Sequence, residues 1–292
     1  MIRVPHRLAP VLPGAVWPLA LVLPILVIVA LAGCGGGSSA SSSQTARKAP
    51  PDASRSGQGQ RSRSQIAADR ALASHALLRL ADFPAGWTAS QRHRERSQPK
   101  LEQEIAACLH VARSAVNESD PAEVRSPDFK HTGGAEISNT VTLTPTPAIA
   151  AEQFSVFAKP ETTRCLRNGV EQELRYTLSH ARGGRRLPTG VSFGHATVEQ
   201  MSFPAVGDQS IAYRVAVSIT AKAVHLPLYF DVVLARAGRA EISLSFAGVL
   251  LPTSPSAELG LTDLTLRRLD DVLGTRTRTA PVTPGRTQEG PV

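Results

Sequence analysis

The sequence predicts an α+β fold: a largely antiparallel sheet with helices packed on one face, forming a single domain over residues 66–273. Three observations carry this reading. Four stretches, Ala135 to Thr144, Ile211 to Thr220, Leu228 to Leu234 and Ala240 to Phe246, alternate apolar and polar residues with the period of half-buried strands. The last of them follow one another directly, with Ala237-Gly238 as a tight hairpin connection, which is an antiparallel arrangement. Several strand faces are also too polar for a sheet covered on both sides.

In chain order, residues 1–33 carry a basic head with Arg3 and Arg7 and then an apolar run from near Val16. Residues 34–65 are rich in Gly, Ser, Gln and Arg and cannot bury enough surface to offset ordering, so they read as a tether. Its length corresponds to a mean reach of roughly 30 Å. From Ile66 the spacing of Leu72, Ala76, Leu77 and Leu80 is helical, and Pro84 and Gly86 end the pattern before Trp87. A second helix after Pro99 places Leu101, Ile105, Cys108, Leu109 and Ala112 on one stripe.

In the first clear strand, Ile137, Val141 and Leu143 share a face on which Asn139 is the exception. Glu136, Ser138, Thr140 and Thr142 occupy the other face. Thr146 and Pro147 read as the N-cap and first residue of a helix whose Ala150, Phe154 and Phe157 point inward until Pro160. Another helix begins near Thr162, with Leu166, Val170, Leu174 and Leu178 four apart, Glu171 supporting Arg175, and Cys165 beside the stripe. After Val191 strands dominate. A last helix carries Leu261, Leu264, Leu269 and Val272, and the Thr-, Pro- and Gly-rich residues 274–292 read as a disordered tail.

The formal charge of +8 belongs to the chain ends, because residues 66–273 are formally neutral. Basic segments near an anionic bilayer gain about 1 kcal/mol per Lys or Arg. A neutral domain in a chain with 4% aromatic residues offers neither the electrostatic footprint nor the stacking platform of a nucleic-acid binder. The partners expected are therefore a membrane and an unidentified ligand or envelope protein.

Leu31-Ala32-Gly33-Cys34 closes the apolar run. This resembles the lipobox of bacterial lipoprotein signals, which implies diacylglyceryl transfer to the Cys34 thiol and cleavage before it. The address implied is the extracytoplasmic face of the cell membrane, with the chain anchored by lipid. Cys108 and Cys165 then remain, and in an oxidising compartment a disulfide is the default expectation. Two free buried thiols and a metal site are the competing readings; no His neighbour completes a metal-ligand cluster.

Gly190-Val191-Ser192-Phe193-Gly194 matches the nucleophile-elbow pattern, with Asp208 and His225 in a suitable chain order. A serine hydrolase using Ser192 is thus a minor alternative, but the motif follows no apolar strand and leads into a strand rather than a helix. Arg182, Arg185 and Arg186 beside two glycines could hold an anion, although a solvated turn is the simpler reading. Arg92, Arg94 and Arg96 read as a charged surface segment, and the scattered histidines as solvated or loop residues. The polar strand faces, Thr140 to Thr144 and Ser243 to Ser245, make a better ligand or partner surface. No catalytic residue, metal ligand or cofactor is expected.

Taken together, Leu77 to Trp87, the helix bearing Cys108, the strand Asn139 to Leu143, the helix containing Cys165, the run Pro204-Ala205-Val206-Gly207-Asp208 and the late hairpin resemble actinobacterial envelope lipoproteins. The class is one similar to the extracellular sensor domain of membrane Ser/Thr protein kinases. That resemblance implies a helix-and-antiparallel-sheet domain that binds a ligand or protein without chemistry. The sequence departs from it in lacking a second cysteine pair in the late strands. The function expected is a lipid-anchored, sensor-like binding module, with a carrier that shelters a lipid or glycolipid between sheet and helices as the alternative.

Overall fold

The computed structural model describes residues 61–91, 99–112, 116, 120, 122–180, 191–221 and 224–274. Its helices are α1 (Arg63–His75), α2 (Pro99–Cys108), α3 (Pro147–Phe157), α4 (Thr162–His180) and α5 (Pro255–Leu273). The strands are β1 (Trp87–Ser90), β2 (Val124–Arg125), β3 (Asp128–His131), β4 (Glu136–Leu143), β5 (Val191–Met201), β6 (Gln209–Ala221), β7 (Val224–Ala237) and β8 (Ala240–Val249). They form one sheet in the order β1-β3-β4-β8-β7-β6-β5, and β2 pairs with β4 beyond the end of β3. Every pairing is antiparallel. The α+β class and the antiparallel sheet are as the alternation predicts.

The helices, expected on one face, are divided between two. The cause lies in the β7–β8 hairpin, whose two-residue loop, Gly238-Arg239, pairs Ala237 with Ala240. An odd residue therefore faces the same way as an even one across this hairpin. The apolar set Leu228, Phe230, Val232 and Leu234 of β7 consequently points away from the apolar set Ala240, Ile242, Leu244 and Phe246 of β8. Register then extends each set outward. On one face β4 adds Ile137, Val141 and Leu143 opposite Phe246, Ile242 and Ala240. On the other, β6 adds Ile211, Val215 and Val217 opposite Leu234, Phe230 and Leu228.

Two half-sheets of opposite polarity need covers on opposite sides. Ala73 and Ala76 at the end of α1, with Leu266 and Leu269 of α5, cover the β4–β8 apolar face in the larger core, which Val233, Ala235 and Ala237 of β7 also join. Val170 and Leu174 of α4 cover the β6–β7 face at one end. Phe154 of α3 covers it at the other against Ile211 and Tyr213. The Tyr213 hydroxyl donates to the Phe157 carbonyl at 2.6 Å, holding the end of α3 to the sheet. Beyond α3 and α4, α2 packs Ile105, Ala106 and Leu109 against Val156 and Cys165.

The tether expected through residue 65 ends earlier. Ser62 caps α1, with its hydroxyl accepting from the Gln65 amide and the Gln65 side chain accepting from the Ser62 amide, so the helix begins at Arg63. Arg61 is folded in as well. It donates to both Asp120 oxygens, to Asp69 of α1 at 3.1 Å and to the Leu143 carbonyl at 2.6 Å. Arg239, from the β7–β8 loop, completes Asp69 at 2.6 Å and reaches the Thr144 carbonyl. Burial opposes ionisation of Asp69, but the hydrogen bonds from Arg239 and Arg61 outweigh it and hold the carboxyl below its ordinary range. At the other end of α1, Arg268 of α5 grips Asp82 through two bonds at 2.8 and 2.6 Å and also donates to the Leu77 carbonyl.

Candidate functional site

Each half-sheet leaves its polar side toward the opposite helices. On the side of α3 and α4, β4 presents Ser138, Thr140 and Thr142 in register with Ser245, Ser243 and Glu241 of β8. Val232 and Leu234 of β7 continue these rows past Ser245 and Ser243, and Arg125 of β2 sits opposite Thr140. Hydroxyls two residues apart on a strand are about 6.7 Å apart, and neighbouring strands about 4.8 Å. The strip is thus a small lattice of hydroxyls, apolar at its β7 border and carrying a guanidinium at its β2 border.

Thr140, Thr142, Ser243 and Ser245 are half-buried, and Ser138 is buried. Among the described residues no side chain or backbone group hydrogen-bonds any of these five hydroxyls. α3 packs against β7 and β8 beside the strip. Arg125 donates to Glu123, and Lys130 pairs with Glu136 at 3.5 Å at the far end. Hydroxyls both donate and accept, so this surface suits a neutral polar or polyhydroxylated ligand or a polar protein segment.

The disulfide expected between Cys108 and Cys165 is present, with Cα atoms 5.5 Å apart, and joins α2 to α4. Cys34, Arg182, Arg185 and Arg186 lie outside the described residues, as do Arg92, Arg94 and Arg96. Ser192 is exposed in β5 opposite Thr220, in extended backbone rather than a turn. His225 faces the other side of Thr220, whose hydroxyl is 2.9 Å from its Nδ1. Asp208 stands at the opposite end of the sheet, accepting from the Gly238 amide at 2.7 Å and pairing with Arg236 at 3.2 Å. Because β6 runs from Gln209 to Ala221 and Thr220 pairs with His225, Asp208 and His225 are separated by roughly 40 Å of strand, so the three side chains form no catalytic set.

Among the described residues, no group of three His, Cys, Asp or Glu side chains is placed to hold a metal ion. None of the described helices is long and apolar enough to cross a membrane. The sequence reading missed the buried polar cluster of Arg214, Asp231 and Glu258 on the other face. Its only advance signal was an Arg and an Asp on polar strand positions whose register was unknown.

No family model matches the chain, and no curated protein matches it. Among solved structures it is similar to the extracellular domain of PknH from Mycobacterium tuberculosis, at 10% identity and a TM-score of 0.29, covering 69% of this chain and 94% of that one. It is also similar to LpqN of Mycobacterium tuberculosis, involved in cell envelope biogenesis, at 12% identity and a TM-score of 0.21, covering 64% of this chain and 77% of that one. At such TM-scores the likeness carries no argument, and the architecture rests on the strand register described above.

Proposed function

We propose that the chain is a lipid-anchored, non-enzymatic binding module on the extracytoplasmic face of the cell membrane, and that its ligand or partner lies along the Ser138–Thr140–Thr142 and Ser243–Ser245 strip. One observation carries the binding reading: five hydroxyls brought together by register, all shielded in part from water, that the described protein groups leave without a hydrogen bond. Polar groups in such a position are completed by water or by a ligand. A hydroxyl floor supports a polar ligand over the acyl chain that the carrier reading requires. The anchoring reading is supported by the Leu31-Ala32-Gly33-Cys34 run after an apolar segment.

The test is native mass spectrometry of protein purified from its own envelope membranes. A retained ligand or partner is expected, and it is lost when Thr140→Val and Ser243→Ala are combined. Retention by that folded double variant overturns the assignment of the strip. In the same preparations Cys34→Ala abolishes acyl labelling, and persistent labelling overturns anchoring through Cys34.

A further inference from the structure

On the face away from the hydroxyl strip, the first turn of α5 is seated over three charged side chains. Arg214 of β6 and Asp231 of β7 are register partners and form a two-pronged pair at 2.8 and 2.7 Å. Glu258 of α5 is fully buried, and Oε1 lies 3.6 Å from the same Arg214 nitrogen. Neither Glu258 oxygen receives a hydrogen bond. That nitrogen also reaches the Thr253 carbonyl at 3.5 Å, in the strap leading into α5. From β5, Glu199 stands opposite Arg214 in register and is exposed. On α5 itself, Asp263 and Arg267 pair with each other.

One guanidinium therefore faces two buried carboxylates. With both ionised the buried group carries a net negative charge, and the Glu258 oxygens have no donor. A proton on Glu258 removes that charge and supplies the missing donor, toward Asp231. Burial first, then the hydrogen bond and charge of Asp231, push the Glu258 carboxyl up to about 8, against a smaller opposing pull from Arg214.

The strap beside this cluster is held closely but is not relaxed. Leu250 has a φ of 72°, in the left-handed region that side chains with a β-carbon rarely adopt. Leu250 and Leu251 are 55% and 76% exposed. The strap lies so near β8 that a β-carbon at Gly248 would stand 2.4 Å from the Leu251 carbonyl oxygen. The Leu250 amide donates to the Pro227 carbonyl at 2.9 Å.

We propose that Arg214, Asp231 and Glu258 form a proton-operated latch that seats the Leu250–Thr253 strap and the first turn of α5 on the sheet, tight when Glu258 carries its proton and slack when it does not. In the opened form Glu258 regains an ordinary carboxyl value near 4.5, whereas the closed form holds its proton to about 8. Opening releases a proton over that interval, so the open fraction rises about tenfold per pH unit and then levels. Acidification tightens the latch. The other end of α5 is gripped by Arg268 on Asp82, away from Glu258, and serves as an internal reference.

Hydrogen exchange of the full chain between pH 5 and 9, corrected for intrinsic rates, tests this. Protection in peptides spanning 250–262 is expected to fall about tenfold per unit up to pH 8 and then level, while peptides spanning 265–273 stay unchanged. Glu258→Gln keeps the first turn protected throughout. Asp231→Asn lets Arg214 pair with an ionised Glu258 and flattens the same slope, so it reads the latch even where the Gln variant fails to fold. A flat wild-type profile, or a wild-type slope persisting in a folded variant, overturns the proposal.

Discussion

Asn139 stands among Ile137, Val141 and Leu143 on the apolar side of β4, where a leucine would bury more carbon. It is held there by the backbone of another element: its Oδ1 accepts the buried Leu78 amide at 3.0 Å, just past the end of α1. Its own amide donates to the Ser126 hydroxyl at 3.0 Å, and its carbonyl accepts from the Ser126 amide at 2.9 Å, which stitches the break between β2 and β3 to β4. Removing the side-chain oxygen leaves a buried N–H unpaired, so Asn139→Ala is expected to cost about 1–3 kcal/mol. Denaturant unfolding should show a lower midpoint with an unchanged slope. The sequence marked Asn139 as an exception to alternation but contained no sign of its partner, 61 residues away. Glu258 is hidden in a different way. An acid in the first turn of a helix reads as a solvated complement to the helix dipole, and only the docking of α5 over Asp231 makes it a buried one.

Among elements, α2 depends most on covalent help. It packs against α4 and α3 rather than against the sheet, in a small core of Ile105, Ala106, Leu109, Val116, Val156 and Cys165. Its disulfide to α4 spans a sequence separation of 57, for which the chain-entropy model gives about 4 kcal/mol. The Cys108→Ser, Cys165→Ser pair is expected to lose stability of that order. Exchange protection should fall in α2 well before β6 and β7, and uniform loss across all elements would count against this account. The run Pro204-Ala205-Val206-Gly207-Asp208, distinctive in sequence, also acquires a reason at this scale. Gly207 has a φ of 64°, and a β-carbon there would stand 2.5 Å from the Arg236 carbonyl oxygen, so only glycine lets the segment cross β7 this closely. Asp208 then fastens it to the hairpin through the Gly238 amide.

For the whole molecule, buried charge sets the dependence of stability on pH. Asp69 and Asp82 are held below the ordinary 3.8 by their arginines against the opposing effect of burial. Their contribution is full above that value and is lost as pH falls through their lower folded values. Glu258 has the opposite sign: its contribution is full below about 4.5 and is lost as pH rises toward 8. The thermal midpoint should therefore peak near pH 4 to 5. Glu258→Gln should flatten the alkaline side, and Asp69→Asn the acid side. A wild-type maximum at pH 7 to 8 would contradict this balance.

Alternation and helical spacing made β4, β6, β7, β8 and the five described helices legible in the sequence, because each pattern lies within one element. The cysteine count pointed to the disulfide in the same local way. Of the hydroxyl strip, the residues on β4 and β8 were legible, as polar positions on alternating strands. That they form one surface was not. The strands β1, β2 and β3 went unread because two to four residues are too few to show a period, and their extended form comes from pairing with a neighbour. Which face each strand turns to which helix was decided by tertiary structure alone. In a sheet of period two, the pairing of Ala237 with Ala240 determines the facing of every residue beyond it, and a shift of one residue would exchange the two faces. That single register sends helices to both sides, gathers the five hydroxyls on one, and buries Arg214, Asp231 and Glu258 together on the other.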